Sequence, residues 1–600
     1  MMRLHRSHVI HITFISVGLI FLTKLFFIQV LSDEYKLAAE KNIVQPVVEY
    51  PHRGAICDRH GAFLVYNVPI YDLMVIPKEV KHLDTLAFCH DFGISLPTFH
   101  QLLEKAKAYS HVKPSVFIKN LSQETWAQVQ DHIASYLGFF VQARTVRQYP
   151  TPTLAHTLGY VGEIDAQQLT SDSLSYYRKG DLIGISGLEK SYEKVLRGER
   201  GVRYQVSDAR GIVQGSFKGG SLDRASVPGQ DLQITVDTSL QTYGEWLMEN
   251  KLGSIVAIVP QTGEILALVS SPSYDPNLLT GKNFGTHFVA LGQDALAPLF
   301  HRPIMAMYPP GSIFKLYQSL IALQEKVICK HTSHACDRRL LNCHPHGSPL
   351  NLQGAIKYSC NPYFYHVFRS IINQKVSKNT YEDTRIGLEK WCGYLREFGL
   401  GAVLGIDLPG EKGGCVPDPQ FYDRIYGKGR WKASTIRSLD IGQGELLVTP
   451  LQMANFAATV ANRGYYYTPH LVRGIGAQSV LPKEVKKHEV AIDRTHFELI
   501  ASAMQEAVEG GTAWRARIKE IAICAKTGTV ENTHGADHSV CIAFAPREHP
   551  QIALAVYVEN AGWGARAAAS IASLLIEQYL TGVVSRSWLQ SYVRKGEFFH

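Results

Sequence analysis

The stretch YPPGSIFKLYQ, Tyr308 to Gln318, decides how the rest of the chain is read. Pro309, Pro310 and Gly311 stop whatever precedes them, and Ser312 opens the run IFKLYQSLIALQ. Apolar residues on nearly every face of that run imply a buried helix starting at the serine. Backbone N–H groups at such a start point outward and favour developing negative charge. Lys315 follows three residues on, on the same face. Burial disfavours the charged form of an amine, and a neutral amine can take a proton from a serine hydroxyl. The competing reading is a serine N-cap with a snorkelling lysine. The spacing alone does not discriminate, since Ser191 and Lys194 repeat it without the apolar setting.

Two further stretches decide between these readings. YSCNPYFY, Tyr358 to Tyr365, carries Ser359 and Asn361. A hydroxyl there can relay protons, and an amide can hold a carbonyl. AKTGT, Ala525 to Thr529, lies inside a strand-like run. Lys526 supplies positive charge, Thr527 and Thr529 supply hydroxyls, and Gly528 lets another backbone approach closely. A strand of this kind can bind an extended peptide along its edge. Each stretch is weak alone, and Ser377-Lys378-Asn379 matches the second pattern without context. The three in this order are the S-x-x-K, S-x-N and K-T-G set of penicillin-binding proteins and active-site serine β-lactamases.

Working outward, the surroundings read as α+β. SIVAIVPQTGEILALVSS gives two apolar runs about a turn, and IAICAKTGTV, SVCIAFAP and QIALAVYVEN give three more. Helical segments lie between these groups, which predicts an antiparallel sheet flanked by helices, plus a helical lobe. ARAAASIASLLIEQYL, Ala565 to Leu580, reads as the final helix. Upstream, AFLVYNVPIYDLMVIP gives short alternating runs, and a stretch ending VFIKNLSQETWAQVQDHIASYLG reads as helical. With recurrent glycine punctuation, residues from about Glu34 to Gln230 predict an α+β pedestal.

At 600 residues the chain is too long for one core, and its 46% apolar and 19% charged composition is that of a folded protein. A net charge of +8 without a clustered basic run argues against nucleic acid as a partner. Val9 to Leu31 is mostly apolar, behind Arg3 and Arg6 and before an acidic SDE. As a helix it would reach about 34 Å, enough to cross a hydrocarbon core of ~30 Å. The charge flanks place the N-terminus in the cytoplasm and the remainder outside. The ten cysteines are not a disulfide framework: four gather at Cys329, Cys336, Cys343 and Cys360, and six are dispersed.

The chain resembles the class B penicillin-binding proteins, the monofunctional peptidoglycan transpeptidases. RGAICDRHG (Arg53 to Gly61), GISGLEKSYEKVLRG, IVPQTGEILALVSSPSYDPN and DIGQGELLVTPLQMANFAATVANRG (Asp440 to Gly464) are similar to motifs of that family. YPPGS and the KTGT…DHS…IAFAP spacing resemble the elongation type more than the septal type. Ile313 departs from the family's usual threonine. The resemblance implies a cytoplasmic tail over 1–8, a transmembrane anchor over 9–31 and a pedestal over 32–235. A transpeptidase domain over 236–585 and a C-terminal tail over 586–600 complete the division. It also implies catalysis by Ser312, Lys315, Ser359 and Lys526, and substrate binding by Asn361, Thr527, Gly528 and Thr529. Stem peptides and β-lactams would be the ligands, the inner membrane the location, and a polytopic glycan polymerase and elongation scaffold proteins the partners. A D,D-carboxypeptidase, a β-lactamase and a non-catalytic scaffold share parts of this pattern. The anchor, the pedestal and the intact motif set favour the transpeptidase.

No cofactor is implied for the chemistry. Cys336, Cys343, His346 and Cys360 nevertheless make a tetrahedral zinc set, with His344 an alternative to His346. Some elongation-type relatives carry metal ligands in this region. A Cys336–Cys343 disulfide and unpaired thiols are the competing readings.

Overall fold

Strands Gly253–Ile258, Ile265–Ser271, His538–Ala545 and Ile552–Val558 are buried at every position but His538 because both faces of their sheet are covered. The computed structural model describes residues 6–27, 44–121, 123–172, 176–207, 213–281, 283–479 and 485–596. Its five-stranded sheet runs, from one edge to the other, Ile265–Ser271, Gly253–Ile258, Ile552–Val558, His538–Ala545 and Cys524–Val530. Every neighbouring pair is antiparallel. Successive side chains take opposite faces, so Val540, Ile542 and Phe544 enter one core while Cys541, Ala543 and Ala545 enter another. Helices Pro450–Ala461 and Arg494–Gly510 cover the first face, and Thr238–Leu247 and Ala568–Thr581 the second. Each fully buried Val, Leu or Ile contributes about 1.5–3 kcal/mol. The sheet is therefore the rigid base on which its edge strand, Cys524–Val530, is held.

Between the two strand groups lies the helical lobe. Helices Phe314–Gln324, Asn361–Ile372 and Thr380–Glu397 pack together, with Trp391 fully buried among them. The Trp391 indole N–H donates to Gln318 Oε1 at 3.1 Å, and Gln318 Nε2 donates to the Leu439 carbonyl at 3.2 Å. One buried amide thus joins three segments at the foot of the Ser312 helix. Pro450–Ala461 begins in a capping box between Thr449 and Gln452, two orphan ends satisfied reciprocally.

The chain divides into two compact units, Met1–Gly54 with Arg197–Gln230, and Ala55–Leu196 with Asp231–His600. In the second unit, strand Leu232–Ile234 pairs parallel with Ile56–Cys57 and antiparallel with Val472–Ile475, so pairing runs across the expected join at 235. Strand Phe63–Val75 is continuous over 13 residues and pairs with Ser115–Leu121 and Phe139–Gln148. The stretch SVFIKNL is accordingly a strand, not the start of a helix. Its Phe117 and Leu121 are buried, its β-branched residues stand on a half-buried pleat, and Leu73 and Met74 face Ile118 and Val116. The helix that follows is short, Gln123–Val129, with one 3-10 turn after it at Ile133–Ser135.

In the first unit, Val44–Glu49, Gly201–Ser207 and Val213–Ser216 form an antiparallel three-stranded sheet. Helix Arg6–Phe26 contains an apolar segment, His8–Phe26, of mean hydropathy 2.0 with none of it buried. That segment is long and apolar enough to cross a membrane. Residues 28–31 of the expected span lie outside the described residues.

Helix Ala568–Thr581 is not the last. It ends at Gly582, and Ser587–Lys595 follows within the expected tail. Leu589 and Val593 are fully buried in the same core as the sheet's second face. Arg586 Nε donates to Glu577 Oε2 at 2.9 Å, and Arg594 donates to the Trp246 carbonyl at 2.8 Å. Leu589→Ala should destabilise the protein by about 2–5 kcal/mol, read as a clear drop in melting temperature. An unchanged melting curve would make this helix peripheral.

Candidate active site

Ser312 sits in the single 3-10 turn Gly311–Ile313, which runs directly into helix Phe314–Gln324. Every helix residue from Phe314 to Leu323 is buried, while Ser312 is half-buried. Two glycines let other backbone press against this turn. Gly442 is left-handed at φ +72, and a Cβ there would stand 2.4 Å from the Gly311 carbonyl and 2.5 Å from Phe314 Cβ. Its own carbonyl accepts from Gly311 N–H at 2.9 Å. At Gly528 a Cβ would stand 2.7 Å from Val540 Cγ1 and 3.3 Å from Ser312 N. The edge strand therefore passes directly beside the backbone N–H of Ser312.

Two lysines converge on one hydroxyl. Lys315 Nζ donates to Ser359 O at 2.8 Å, Ser359 Oγ at 3.1 Å and Asn361 Oδ1 at 2.5 Å. Lys526 Nζ donates to the same Ser359 Oγ at 2.9 Å and to Thr527 O at 2.8 Å. Ser359 reaches both amines because its backbone is left-handed, φ 53, a conformation rare outside glycine. Both lysines are fully buried. Burial pulls the Lys315 amine down to about 8, against the opposing pull of Cys343, Cys360 and Asp440. Lys526 is pushed well below its ordinary range by burial first and by the nearby Lys315 second. Among the described residues neither amine forms an ion pair, so the site stores its protons on poorly hydrated groups.

The eight residues expected from sequence come together here. Thr527 is buried on the edge strand, and Thr529 Oγ1 accepts from Gly564 N–H at 3.3 Å. Asn361 has a second partner that sequence reasoning missed: its Nδ2 donates to the Asn342 carbonyl at 2.7 Å. That bond ties the S-x-N element to the cysteine-bearing loop. A second omission is Asp440, buried in the turn Arg437–Ile441 that packs against the Ser312 helix.

In that loop the ligand atoms of Cys336, Cys343, His346 and Cys360 all lie within 4.8 Å of one another. All ten cysteines are free thiols. Cys343 Sγ meets His346 Nε2 at 3.4 Å, and His346 Nδ1 meets the Gly347 carbonyl at 2.7 Å. A carbonyl on the far ring nitrogen fixes the tautomer that leaves Nε2 for a metal. The Cys343 thiol is pushed down to about 4, chiefly by a hydrogen bond from Cys360, whose own thiol is pushed up. His344 is outside the group, and its Nε2 is buried without a hydrogen-bond partner among the described residues. Three sulfurs and one imidazole in this arrangement fit a tetrahedral zinc.

Residues 253–577 match the penicillin binding protein transpeptidase domain, and residues 48–234 the penicillin-binding protein dimerisation domain. The peptidoglycan D,D-transpeptidase MrdA of Acinetobacter baumannii is 31% identical over 89% of this chain and 81% of its own length. The protein of that name from Escherichia coli is 30% identical over 88% of this chain and 87% of its own. Among solved structures, penicillin-binding protein PBP2 in complex with MreC, from Helicobacter pylori, aligns with a TM-score of 0.74 at 25% identity. It covers 90% of this chain and 100% of that one. PBP2 of Pseudomonas aeruginosa in complex with WCK 5153 aligns with a TM-score of 0.64 at 26% identity, over 91% and 99%. The chain belongs to the penicillin-binding protein family, whose transpeptidase domain is a serine acyl-transferase. Within that family it is a class B transpeptidase of the elongation type.

The contact at Gly442 makes a separate expectation. Gly442→Ala should force the Ser312 turn aside, at a cost of about 1–3 kcal/mol from overpacking. Melting temperature and the rate of covalent penicillin labelling should both fall. Unchanged labelling kinetics would show that the turn tolerates the shift.

Proposed function

We propose that this chain cross-links peptidoglycan stem peptides during wall elongation, with Ser312 as the acyl-carrying nucleophile. The observation that carries this reading is Ser359 Oγ held between Lys315 and Lys526, beside the Ser312 turn. Lys315 in its neutral form takes the Ser312 proton as Oγ attacks the carbonyl between the terminal D-alanines. The N–H groups of Ser312 and Thr529 hold the resulting oxyanion. Collapse breaks the C–N bond, and the proton reaches the departing D-alanine amine through Ser359, with Lys526 balancing charge. The amine of a second stem peptide then attacks the Ser312 ester. It gives its proton back along the same path, releasing the cross-link and free Ser312. Asn361, Thr527, Gly528 and Thr529 hold the donor peptide, extended along the edge strand Cys524–Val530. A β-lactam acylates Ser312 in place of the peptide.

The acyl transfer needs no cofactor. Cys336, Cys343, His346 and Cys360 hold a structural zinc in this reading. Cys360 adjoins Asn361, and Asn342 accepts from Asn361, so an ion there would brace the S-x-N element rather than react. The apolar helix His8–Phe26 supports a single-pass anchor in the inner membrane, with the N-terminus cytoplasmic and the catalytic body periplasmic. A scaffold protein of the MreC kind is the partner supported by the Helicobacter complex, and a polytopic glycan polymerase completes the elongation assembly.

Fluorescent penicillin should label the protein covalently, and Ser312→Ala should abolish labelling at every pH while leaving the melting temperature near that of the parent. Persistent labelling of the variant would remove Ser312 from its role. Metal analysis of the purified protein should find about one zinc per chain, lost in Cys336→Ser. Metal-free protein carrying a Cys336–Cys343 cross-linked peptide would overturn the zinc reading.

A further inference from the structure

Residues 559–564, ENAGWG, follow strand Ile552–Val558 and lie outside the three motifs. At their start, the Glu559 N–H donates to the Leu252 carbonyl at 2.8 Å, which ties this backbone to the sheet. The Glu559 side chain turns toward the lead-in to the nucleophile. Tyr308 Oη donates to Glu559 Oε1 at 2.7 Å, and Arg302 Nε donates to the same oxygen at 3.3 Å. Arg302 is buried, and its other two nitrogens donate to the Ala297 and Leu296 carbonyls at 3.3 and 2.9 Å. The carboxylate is thus held by a guanidinium that is itself held. Tyr308 stands four residues before Ser312. Its ring stacks on Tyr557 of the sheet, with centroids 4.0 Å apart and planes 14° apart. Its N–H donates to the Val448 carbonyl at 2.9 Å, and its carbonyl accepts from the Val448 N–H at 2.8 Å.

At its other end the same segment meets the edge strand. Gly564 N–H donates to Thr529 Oγ1 at 3.3 Å, and a Cβ at Gly564 would stand 2.3 Å from the Gly528 carbonyl. Between the two ends, Asn532 Nδ2 donates to Asn560 Oδ1 at 2.7 Å, and Gly562 N–H to the Asp537 carbonyl at 2.7 Å. Six residues therefore grip both the lead-in to Ser312 and the K-T-G-T strand. Turn and strand also touch directly. A Cβ at Gly528 would stand 3.3 Å from the Pro310 carbonyl and from Ser312 N, and a Cβ at Gly311 3.1 Å from the Thr529 carbonyl. Only Pro309, Pro310 and Gly311 separate Tyr308 from Ser312. Proline fixes φ, so a displacement at Tyr308 is passed along the chain rather than absorbed.

We propose that Glu559 is a positioning residue of the acyl transfer, which acts through the Tyr308 hydroxyl to set where the Ser312 N–H stands against the Thr529 N–H. It rests on the nucleophile and oxyanion assignments above. A hydrogen bond to a carboxylate is shorter and stronger than one between neutral groups, which suits a contact that fixes position. Oxyanion donors act on charge that develops only in the transition state. Loosening one of them slows the chemical step and leaves ground-state binding in place.

Time courses of labelling by fluorescent penicillin, over a range of concentrations, separate the acylation rate constant from the dissociation constant of the non-covalent complex. Tyr308→Phe keeps the ring on Tyr557 and removes only the hydroxyl. Its acylation rate constant should fall about 10-fold, with the dissociation constant within about twofold of the parent's. Glu559→Ala should fall at least as far, and Glu559→Gln, which keeps an acceptor oxygen, should recover most of that loss. Because Tyr308 and Glu559 act through one bond, the double variant Tyr308→Phe with Glu559→Ala should be no slower than Glu559→Ala alone. An unchanged rate constant in Tyr308→Phe would overturn the proposal. So would a loss confined to the dissociation constant, additive losses in the double variant, or a Glu559→Gln no faster than Glu559→Ala. A fall in rate that matches the unfolded fraction, read from melting curves, would overturn it too and assign the bond to stability alone. Failure of the underlying nucleophile reading has a different signature, labelling of Ser312→Ala.

Discussion

Everything in the site turns on one hydroxyl shared by two amines. Ser359 Oγ accepts from Lys315 and Lys526 in an interior that hydrates neither. In water two ammonium groups would separate or keep their protons. Here the helix burying Lys315 and the sheet burying Lys526 hold both in place, and dehydration lowers the proton affinity of each. A hydroxyl between them can receive from one side and give to the other without any group moving far. The rest of the structure keeps that triangle dry and closed. A two-faced sheet fixes the edge strand, an all-apolar helix fixes Lys315, and a left-handed Ser359 presents two oxygens at once.

The brace around the Ser312 turn is of another kind. Gly311, Gly442 and Gly528 bring three stretches of backbone into contact where side chains would hold them apart. Backbone packed on backbone gives little under load, since its positions are fixed by peptide geometry rather than by rotamers. The cysteine loop adds a softer brace, through the bonds from Asn361 to Asn342 and from Cys360 to Cys343.

Much of this was legible in the sequence because it is locally encoded. Largely apolar runs marked the five strands, and the motif set named eight residues that the fold brings together. The choice of His346 over His344 agrees with the grouping of ligand atoms, although nothing local separates two histidines two residues apart. What was missed depends on distant neighbours. SVFIKNL is a strand because Phe63–Val75 lies alongside it, and its own residues suit either state. SWLQSYVRK shows only two apolar anchors, and their burial becomes visible only once the sheet's second face is built. Asp440 reads as one acid before a glycine motif until the turn Arg437–Ile441 is packed against two helices and its carboxylate is buried.

The site is drawn from four separate segments, around Gly311, Ser359, Asp440 and Lys526, and its last essential strand ends at Val530. None of the four holds its geometry without the others, so reactivity is a property of the finished chain. A growing polypeptide that has emerged through the Ser312 helix still lacks the strand that carries Lys526 and packs against the Ser312 turn. Such non-local assembly is slow and comes late in folding. A copy that ends before Cys524 therefore lacks Lys526 and the strand beside the Ser312 turn, and with them the assembled site.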